Sequence, residues 1–378
     1  MQDVLRFCSA HAGWVLELTT MLARIESPSH DTAAVNRCGA ALEPVLREIG
    51  GQVERLPQAS AGDHWRAEFG DGARRILLLT HLDTVWDIGQ LARMPLDVRD
   101  GRLFGPGVYD MKGGVAIAVL AIKALCALGL DHRVRLVLLC TSDEEVGSAT
   151  SRALIENEAR RSTAVLVLEP ALGAGAVKTS RKGVGVFTVT VDGVSAHAGA
   201  APGSGASAIL EMAHQVLALH AMQEPARGIS LNVGLVAGGT RSNVVPERAT
   251  AEVDVRLATR EDAGRMERAI RGLAPVDPRT RVTVTGAINR PPMERTPGVA
   301  ALYAMAHEVA AGMGIDLAEG GTGGASDGNF TAGLGIPTLD GLGAVGDGAH
   351  ALNEHVLIAS LPERASLLAG LVRKIAAQ

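Results

Sequence analysis

Three short segments place histidine and carboxylate side chains directly behind apolar runs, an arrangement that suits a divalent metal site. His81-Leu82-Asp83-Thr84-Val85 follows the apolar run 76–80. Thr141-Ser142-Asp143-Glu144-Glu145-Val146-Gly147-Ser148 follows the run 134–140, and Glu169-Pro170 follows the run 164–168. His81 can ligate through one ring nitrogen while Asp83 accepts from the other and fixes the ring. Alone, a His-x-Asp is more often a surface turn. Three consecutive acids, Asp143 to Glu145, repel one another unless they are solvated or neutralised by cations. Solvation is the commoner outcome, yet adjacent carboxylates can divide the work, one on a metal and one carrying protons.

Two further segments join them. In Gly105-Pro106-Gly107-Val108-Tyr109-Asp110-Met111-Lys112-Gly113-Gly114, the glycines permit a tight approach of a following helix, 113–128, to the sheet. Asp110 is either a helix cap or a carboxylate aimed into the cleft, where its two oxygens could bridge two cations. Gly348-Ala349-His350-Ala351-Leu352-Asn353-Glu354-His355 lies in a glycine-rich loop before the last helix, and His355 reads either as a residue that supports a ligand from behind or as structural. A mixed histidine and carboxylate set without cysteine suits zinc, or another divalent metal, in a hydrolytic site.

The elements that must position these residues are legible from periodicity. Continuous apolar runs of strand length alternating with helix-like stretches predict a mostly parallel sheet buried on both faces, an α/β domain. Parallel strands end at one edge of the sheet, so His81, Glu144, Glu145 and Glu169 should meet there. After residue 182 the rhythm changes to strand 185–191, helix 207–220, strands 230–236 and 250–257, helix 261–273 and strand 281–285. This βαββαβ order is the ferredoxin-like α+β motif, read as an insertion. The expected division is 1–182 and 294–378 for the α/β domain and 183–293 for the inserted one. The first residues suggest an amphipathic helix rather than a signal peptide.

The chain has 378 residues, 47 % hydrophobic and 20 % charged, a globular composition. A formal net charge of -5 offers no basic field for nucleic acid or anionic lipid. No stretch is apolar for the ~18 residues a membrane span needs. The four cysteines are scattered without a Cys-x-x-Cys pair, which suits a reducing, cytoplasmic compartment.

In His81 to Val85, Tyr109 to Gly114, Asp143 to Gly147 and the segment around His350, the sequence resembles the two-zinc exopeptidase family with an inserted dimerisation lid. That family includes glutamate carboxypeptidase, acetylornithine deacetylase and succinyl-diaminopimelate desuccinylase. Glu169-Pro170, Ser195-Ala196-His197-Ala198-Gly199-Ala200-Ala201-Pro202 and Ser242-Asn243-Val244-Val245-Pro246 resemble the glutamate carboxypeptidase branch. The resemblance implies two zinc ions, with cobalt or manganese as substitutes, bridged by Asp110. His81 and Glu169 would complete one metal, Glu145 and His350 the other. Glu144 would be the general base and Asp83 the orienting group. His197 would reach the partner's active site in a lid-mediated homodimer and polarise the scissile carbonyl. Asn243 and Arg256 would contact substrate, and Gly323, Gly324 and Ser326 would wall its carboxylate. The implied reaction is hydrolysis of the amide to a C-terminal amino acid in a small peptide or N-acyl amino acid, with glutamate the candidate side chain, as in N-acyl-glutamates or folate-like compounds. The alternatives are an N-acyl-amino-acid deacylase and a non-catalytic metal-binding dimer. Glu144 argues against the latter, because metal binding needs no general base.

Overall fold

The computed structural model describes residues 1–129 and 134–378. They form two compact units, one of Met1–Ser180, Arg295–Gly321 and Ser326–Gln378, the other of Arg181–Glu294 with Thr322–Ala325.

The first unit is built on a six-stranded sheet ordered Gln52–Leu56, His64–Phe69, Val134–Thr141, Arg74–His81, Ala164–Val167 and Thr338–Leu339. The last four strands run parallel, with Leu78 opposite Leu138 and Leu77 opposite Val165. The first two join antiparallel. The run Ile76 to Leu79 is apolar at every position because both faces are covered. Ile76 and Leu78 enter one core with the helices Gly113–Ala127 and Ser360–Ala376. Leu77 and Leu79 enter a second with Ile155, Ala159 and Phe330. Helix Gly113–Ala127 is accordingly apolar almost all round, and its Lys123 ammonium lies 5.0 Å from the Trp14 ring centroid.

Two features differ from the sequence expectation. The N-terminal segment forms two helices, Gln2–Ala10 and Ala12–Arg24, broken at His11, whose Nδ1 bonds the Phe7 carbonyl at 2.8 Å. The antiparallel strands Gln52–Leu56 and His64–Phe69 carry Glu and Arg at positions where an apolar run would announce a strand. Arg66 is accommodated by Glu68 and by Glu158 from a neighbouring helix.

In the second unit an antiparallel sheet is ordered Ser230–Gly238, Arg248–Leu257, Gly183–Asp192 and Arg281–Arg290. With helices Ala208–Ala221 and Arg260–Arg271 the chain order is the ferredoxin-like βαββαβ. Along Gly183–Asp192 alternate residues Phe187, Val189 and Val191 are fully buried against Met212 and Met266. The second helix starts at Thr259, whose hydroxyl accepts from Asp262 N at 3.1 Å. No helix among the described residues is long and apolar enough to cross a membrane.

The approach of helix to sheet depends on Gly114, where a Cβ would collide with the carbonyl oxygen of Leu168. Alanine normally gains about 1 kcal/mol over glycine inside a helix. Here Gly114→Ala is expected to destabilise the protein by roughly 1–3 kcal/mol, the range for overpacking. A urea midpoint at or above that of wild type would show that the helix start is free to withdraw.

Candidate metal centre

Five side chains from separate loops of the first unit converge beyond the carboxyl ends of the parallel strands. His81 is the last residue of Arg74–His81, Glu145 lies in the short turn Glu144–Val146 behind Val134–Thr141, and Glu169 stands two residues beyond Ala164–Val167. Asp110 comes from the turn Val108–Lys112 that leads into helix Gly113–Ala127. His350 comes from the loop between the short strands Gly346–Asp347 and His355–Leu357.

They form two groups, His81 with Asp110 and Glu169, and Asp110 with Glu145 and His350, in each of which the possible ligand atoms lie within 4.8 Å of one another. Asp110 belongs to both. Its Oδ1 is 3.3 Å from His81 Nε2 and its Oδ2 is 3.4 Å from His350 Nε2. Glu169 Oε1 is 3.5 Å from His81 Nε2, and Glu145 Oε2 is 3.3 Å from His350 Nε2. His81 Nε2, Asp110 Oδ1 and Glu145 Oε1 are buried and make no hydrogen bond. Buried polar atoms normally find a partner, and cations bound by each group would supply it. The donor set of imidazole nitrogen and carboxylate oxygen fits zinc. The helix that follows Asp110 begins at Lys112 with no side-chain cap, so Asp110 does not cap it. His350 holds a left-handed backbone at φ 60, a conformation that costs a non-glycine residue energy and persists where surrounding structure imposes it.

The electrostatics describe a site made for positive charge. Burial would lower the pKa of His81, but the carboxylates of Asp110, Asp83 and Glu169 outweigh it and push it well above its ordinary value. Hydrogen bonds to Asp110 and Glu145 raise His350 to about 10. Burial would raise Asp110, yet His350 and His81 hold it far below the usual carboxylate range. Burial raises Glu145, with a further push from Asp110.

The three consecutive acids point to different tasks. Asp143 turns inward, accepting from Thr150 N and Oγ1, each at 2.7 Å. Glu145 faces His350. Glu144, only 9 % exposed, sits between them. Their turn is anchored by Asp83, whose fully buried carboxylate accepts from Glu144 N at 3.3 Å, Glu145 N at 3.1 Å and Ser29 Oγ at 2.7 Å. His81 Nδ1 lies 3.0 Å from the Asp83 carbonyl and 3.5 Å from its carboxylate, so Asp83 constrains both the ring and the acidic turn.

Sequence reasoning assigned no role to Glu354 or Lys112. Glu354 is buried and accepts from the backbone of the Asp110 turn, and Lys112 Nζ is bonded to Ile25 O at 2.6 Å. Their only signal was proximity to His350 and Asp110 in the chain. His355 packs tilted against Phe104, ring centroids 5.0 Å apart, and its Nδ1 lies 2.9 Å from Asn353 O.

Within the second unit the segments bearing His197 and Asn243 pair with each other. Ala198 N donates to Asn243 O at 3.0 Å and Val245 N to Ala196 O at 2.9 Å. His197 Nδ1 accepts from Gly199 N at 3.1 Å and Ala200 N at 3.0 Å. An accepting Nδ1 carries no proton, so the hydrogen of the neutral ring is on Nε2. Arg256 forks onto Asp254 at 2.8 and 2.9 Å. The Gly324 carbonyl accepts from Arg181 at 3.2 Å, and Gly323 has open space at its Cβ position. In the first unit Ser326 is fully buried and its hydroxyl donates to Asp340 at 2.7 Å.

Paired metal groups sharing an aspartate, at the carboxyl edge of a mostly parallel sheet, define a metal-dependent hydrolase. The chain belongs to peptidase family M20/M25/M40, which it matches over residues 77–374, and it is an amide-bond hydrolase. It is 32 % identical over 373 residues to carboxypeptidase G2 of Pseudomonas sp. (strain RS-16), covering 96 % of this chain and 89 % of that one. It is 31 % identical to succinyl-diaminopimelate desuccinylase of Xanthomonas oryzae pv. oryzae (strain PXO99A), covering 96 % and 98 %. The aminopeptidase PepT of Bacillus cereus ATCC 10987 shares the fold with a TM-score of 0.79 and 22 % identity, over 97 % of this chain and 99 % of that chain.

The raised histidine pKa values set a pH dependence. Both rings hold their protons more tightly than free imidazole in the cation-free protein, whereas a ligand must be neutral, so cation binding expels protons. Zinc affinity is therefore expected to rise with pH, by about tenfold per unit for each proton expelled, and to level off as pH passes about 10 for His350. Calorimetric titration in buffers of different ionisation enthalpy measures both affinity and proton release. A pH-independent affinity would show that the rings are already neutral.

Proposed function

We propose that this protein is a two-zinc carboxypeptidase that hydrolyses the amide bond to a C-terminal amino acid, with glutamate the first side chain to test. The observation that carries the reading is the sharing of Asp110 between two ligand groups, with Glu144 immediately before the ligand candidate Glu145. His81, Asp110 and Glu169 would hold one cation, and Asp110, Glu145 and His350 the other. Two such cations supply Lewis acidity, polarising a carbonyl oxygen and making water acidic near neutral pH. Glu144 takes the proton of the attacking water and returns it to the leaving nitrogen. Asp83 holds His81 and the Glu144 turn in register for this. Similarity to carboxypeptidase G2 along nearly the whole chain supports the choice of a C-terminal amino acid. The second reading, deacylation of an N-acyl amino acid, is supported by the desuccinylase relative. The buried thiols Cys8, Cys38 and Cys140 suit a reducing, cytoplasmic setting.

The second unit would serve as a lid and dimerisation domain. Its edge strand Ser230–Gly238 exposes Leu235 and Val236, and the adjacent helix exposes Ile209, Leu210 and Leu217. An apolar edge of this kind calls for a cover, and a second copy of the same edge provides one. His197, with its Nε2 hydrogen free to donate, would stabilise the oxyanion in the partner's site. Asn243 and Arg256 would contact substrate, Arg256 by exchanging Asp254 for a substrate carboxylate, and Gly323 and Gly324 would form the wall about that carboxylate, whereas Ser326, fully buried with its hydroxyl on Asp340, does not join them.

A hydrolysis screen of glutamyl-terminated peptides, N-acyl-glutamates and other N-acyl amino acids, ranked by kcat/KM, tests the substrate. Highest values when the amino acid varies least and the acyl group most support the carboxypeptidase. The reverse pattern supports the deacylase. In the same assay Glu144→Gln should retain zinc and lose roughly 10²- to 10⁴-fold in kcat, while Glu145→Gln should lose zinc. The opposite pair of results would mean that the two roles are interchanged.

Lending of His197 across the interface is tested by mixing chains. His197→Ala should depress kcat/KM by roughly 10²- to 10³-fold, the range for one oxyanion donor, with zinc content and dimerisation unchanged. Mixed with Glu144→Gln chains under subunit exchange, it should regain activity, since one site would combine an intact Glu144 with the partner's intact histidine. Verified exchange without recovery would exclude the shared site.

A further inference from the structure

We propose that Glu354 is a positioning residue for the metal centre. Its carboxylate fixes the backbone of the turn that carries Asp110, so that the two oxygens of Asp110 face His81 and His350. The inference rests on the two-cation reading above.

Glu354 is fully buried and its two oxygens accept four hydrogen bonds. Oε1 takes Tyr109 N at 2.9 Å and Asp110 N at 3.1 Å. Oε2 takes Gly107 N at 2.9 Å and Trp86 Nε1 at 2.7 Å. Its own carbonyl accepts from Gly105 N at 3.2 Å. The turn needs such an acceptor. Asp110 (φ -117, ψ 94) and Met111 (φ -133, ψ 37) depart from helical geometry, and Gly107 is left-handed, so no helical ladder is there to satisfy these amides. Buried amides without partners are costly.

The arrangement also ties the ligand-bearing segments to one another. Trp86 lies five residues beyond His81, Glu354 lies four beyond His350, and the three amides belong to the turn of Asp110. Only a group with two accepting oxygens and no donor can take all four N–H groups. The isosteric amide would turn its NH₂ toward two donors and release one half of the cradle. Because Asp110 belongs to both ligand groups, an error in its backbone is transmitted to both. An error confined to the His350 loop would reach one group alone.

The test is Glu354→Gln in the full chain, stripped of metal and titrated with zinc against a chelator, with the visible spectrum of the cobalt-loaded protein as an independent report on geometry. Both zinc equivalents are expected to weaken by roughly 10- to 100-fold, the range for groups that orient metal ligands. The cobalt spectrum should shift, and the cation-free variant should still melt cooperatively. Affinities within about threefold of wild type would overturn the proposal. So would weakening of one equivalent alone, which would mean that Glu354 acts through the His350 loop. If Glu354→Gln does not fold, Glu354→Asp, which keeps both acceptors on a shorter arm, is judged by the same criteria. Wild-type protein that takes up neither zinc nor cobalt would overturn the two-cation reading and this inference with it, a failure recognisable without any variant.

Discussion

The concentration of negative charge beyond the strand ends is the constraint to which the rest of the first unit answers. Asp110, Glu145 and Glu169 crowd around two imidazoles, and the fully buried Asp83 lies directly behind His81. Two like charges about 4 Å apart repel by about 4 kcal/mol at the effective dielectric of protein sites, so several such pairs would exceed the 5–15 kcal/mol by which a typical protein is stable. Without cations the molecule compensates with protons. His81 and His350 hold theirs far more tightly than free imidazole, and Glu145 is shifted toward its neutral form. Two dications would supply more positive charge than these protons, about +4, and with fixed geometry.

Such a site needs its ligands brought close by backbone that nothing else could approach. A side chain at Gly114 would strike the Leu168 carbonyl, and one at Gly343 would strike the same carbonyl from another loop. Both glycines therefore press on the strand end that carries Glu169, and Gly343 N also bonds the Glu169 carbonyl at 3.0 Å. The turn of Asp110 lies at the N-terminus of helix Gly113–Ala127, where the positive end of the helix dipole favours an anion. Arg364, wholly buried, donates to the carbonyls of Gly175, Gly341 and Gly343 and so pins the Gly343 loop to the C-terminal helix. Glycine supplies the closeness, and buried donors and acceptors supply the rigidity.

Much of this was legible in the sequence because it depends on periodicity and on chain order. Apolar runs of four or more residues announced three of the four parallel strands, the two-residue Thr338–Leu339 excepted, and the residues directly after them were bound to share an edge. The βαββαβ alternation of the second unit was legible for the same reason. What stayed hidden depends on contacts far apart in the chain. Gln52–Leu56 and His64–Phe69 did not read as strands because Arg66 finds its counter-charge on Glu158, 92 residues on. Glu354 is 247 residues from the amide of Gly107, and no local pattern marks an acid as a buried acceptor of backbone N–H groups. Asp110 as cap or ligand was undecidable locally, since both readings place an aspartate before a helix. Only the uncapped start at Lys112 and the two facing histidines separate them.

The run Asp143-Glu144-Glu145 shows how one strand end can carry three acids without three-fold repulsion. Beyond Thr141 the chain leaves the strand, and Glu144–Val146 forms a single 3-10 turn closed by Gly147 in the left-handed region at φ 98. Successive side chains in such a turn diverge by about 120°, so neighbours in sequence face different surroundings. Asp143 meets the hydroxyl and amide of Thr150, Glu145 meets His350, and the amides of Glu144 and Glu145 are taken by Asp83. The proposed proton carrier is thereby placed next to a proposed ligand while its side chain leaves the turn in a different direction from that of Glu145. A continuous strand would instead send Asp143 and Glu145 to the same face. The departure from strand geometry at this point is what would let adjacent carboxylates divide ligation from proton transfer, as proposed for Glu145 and Glu144.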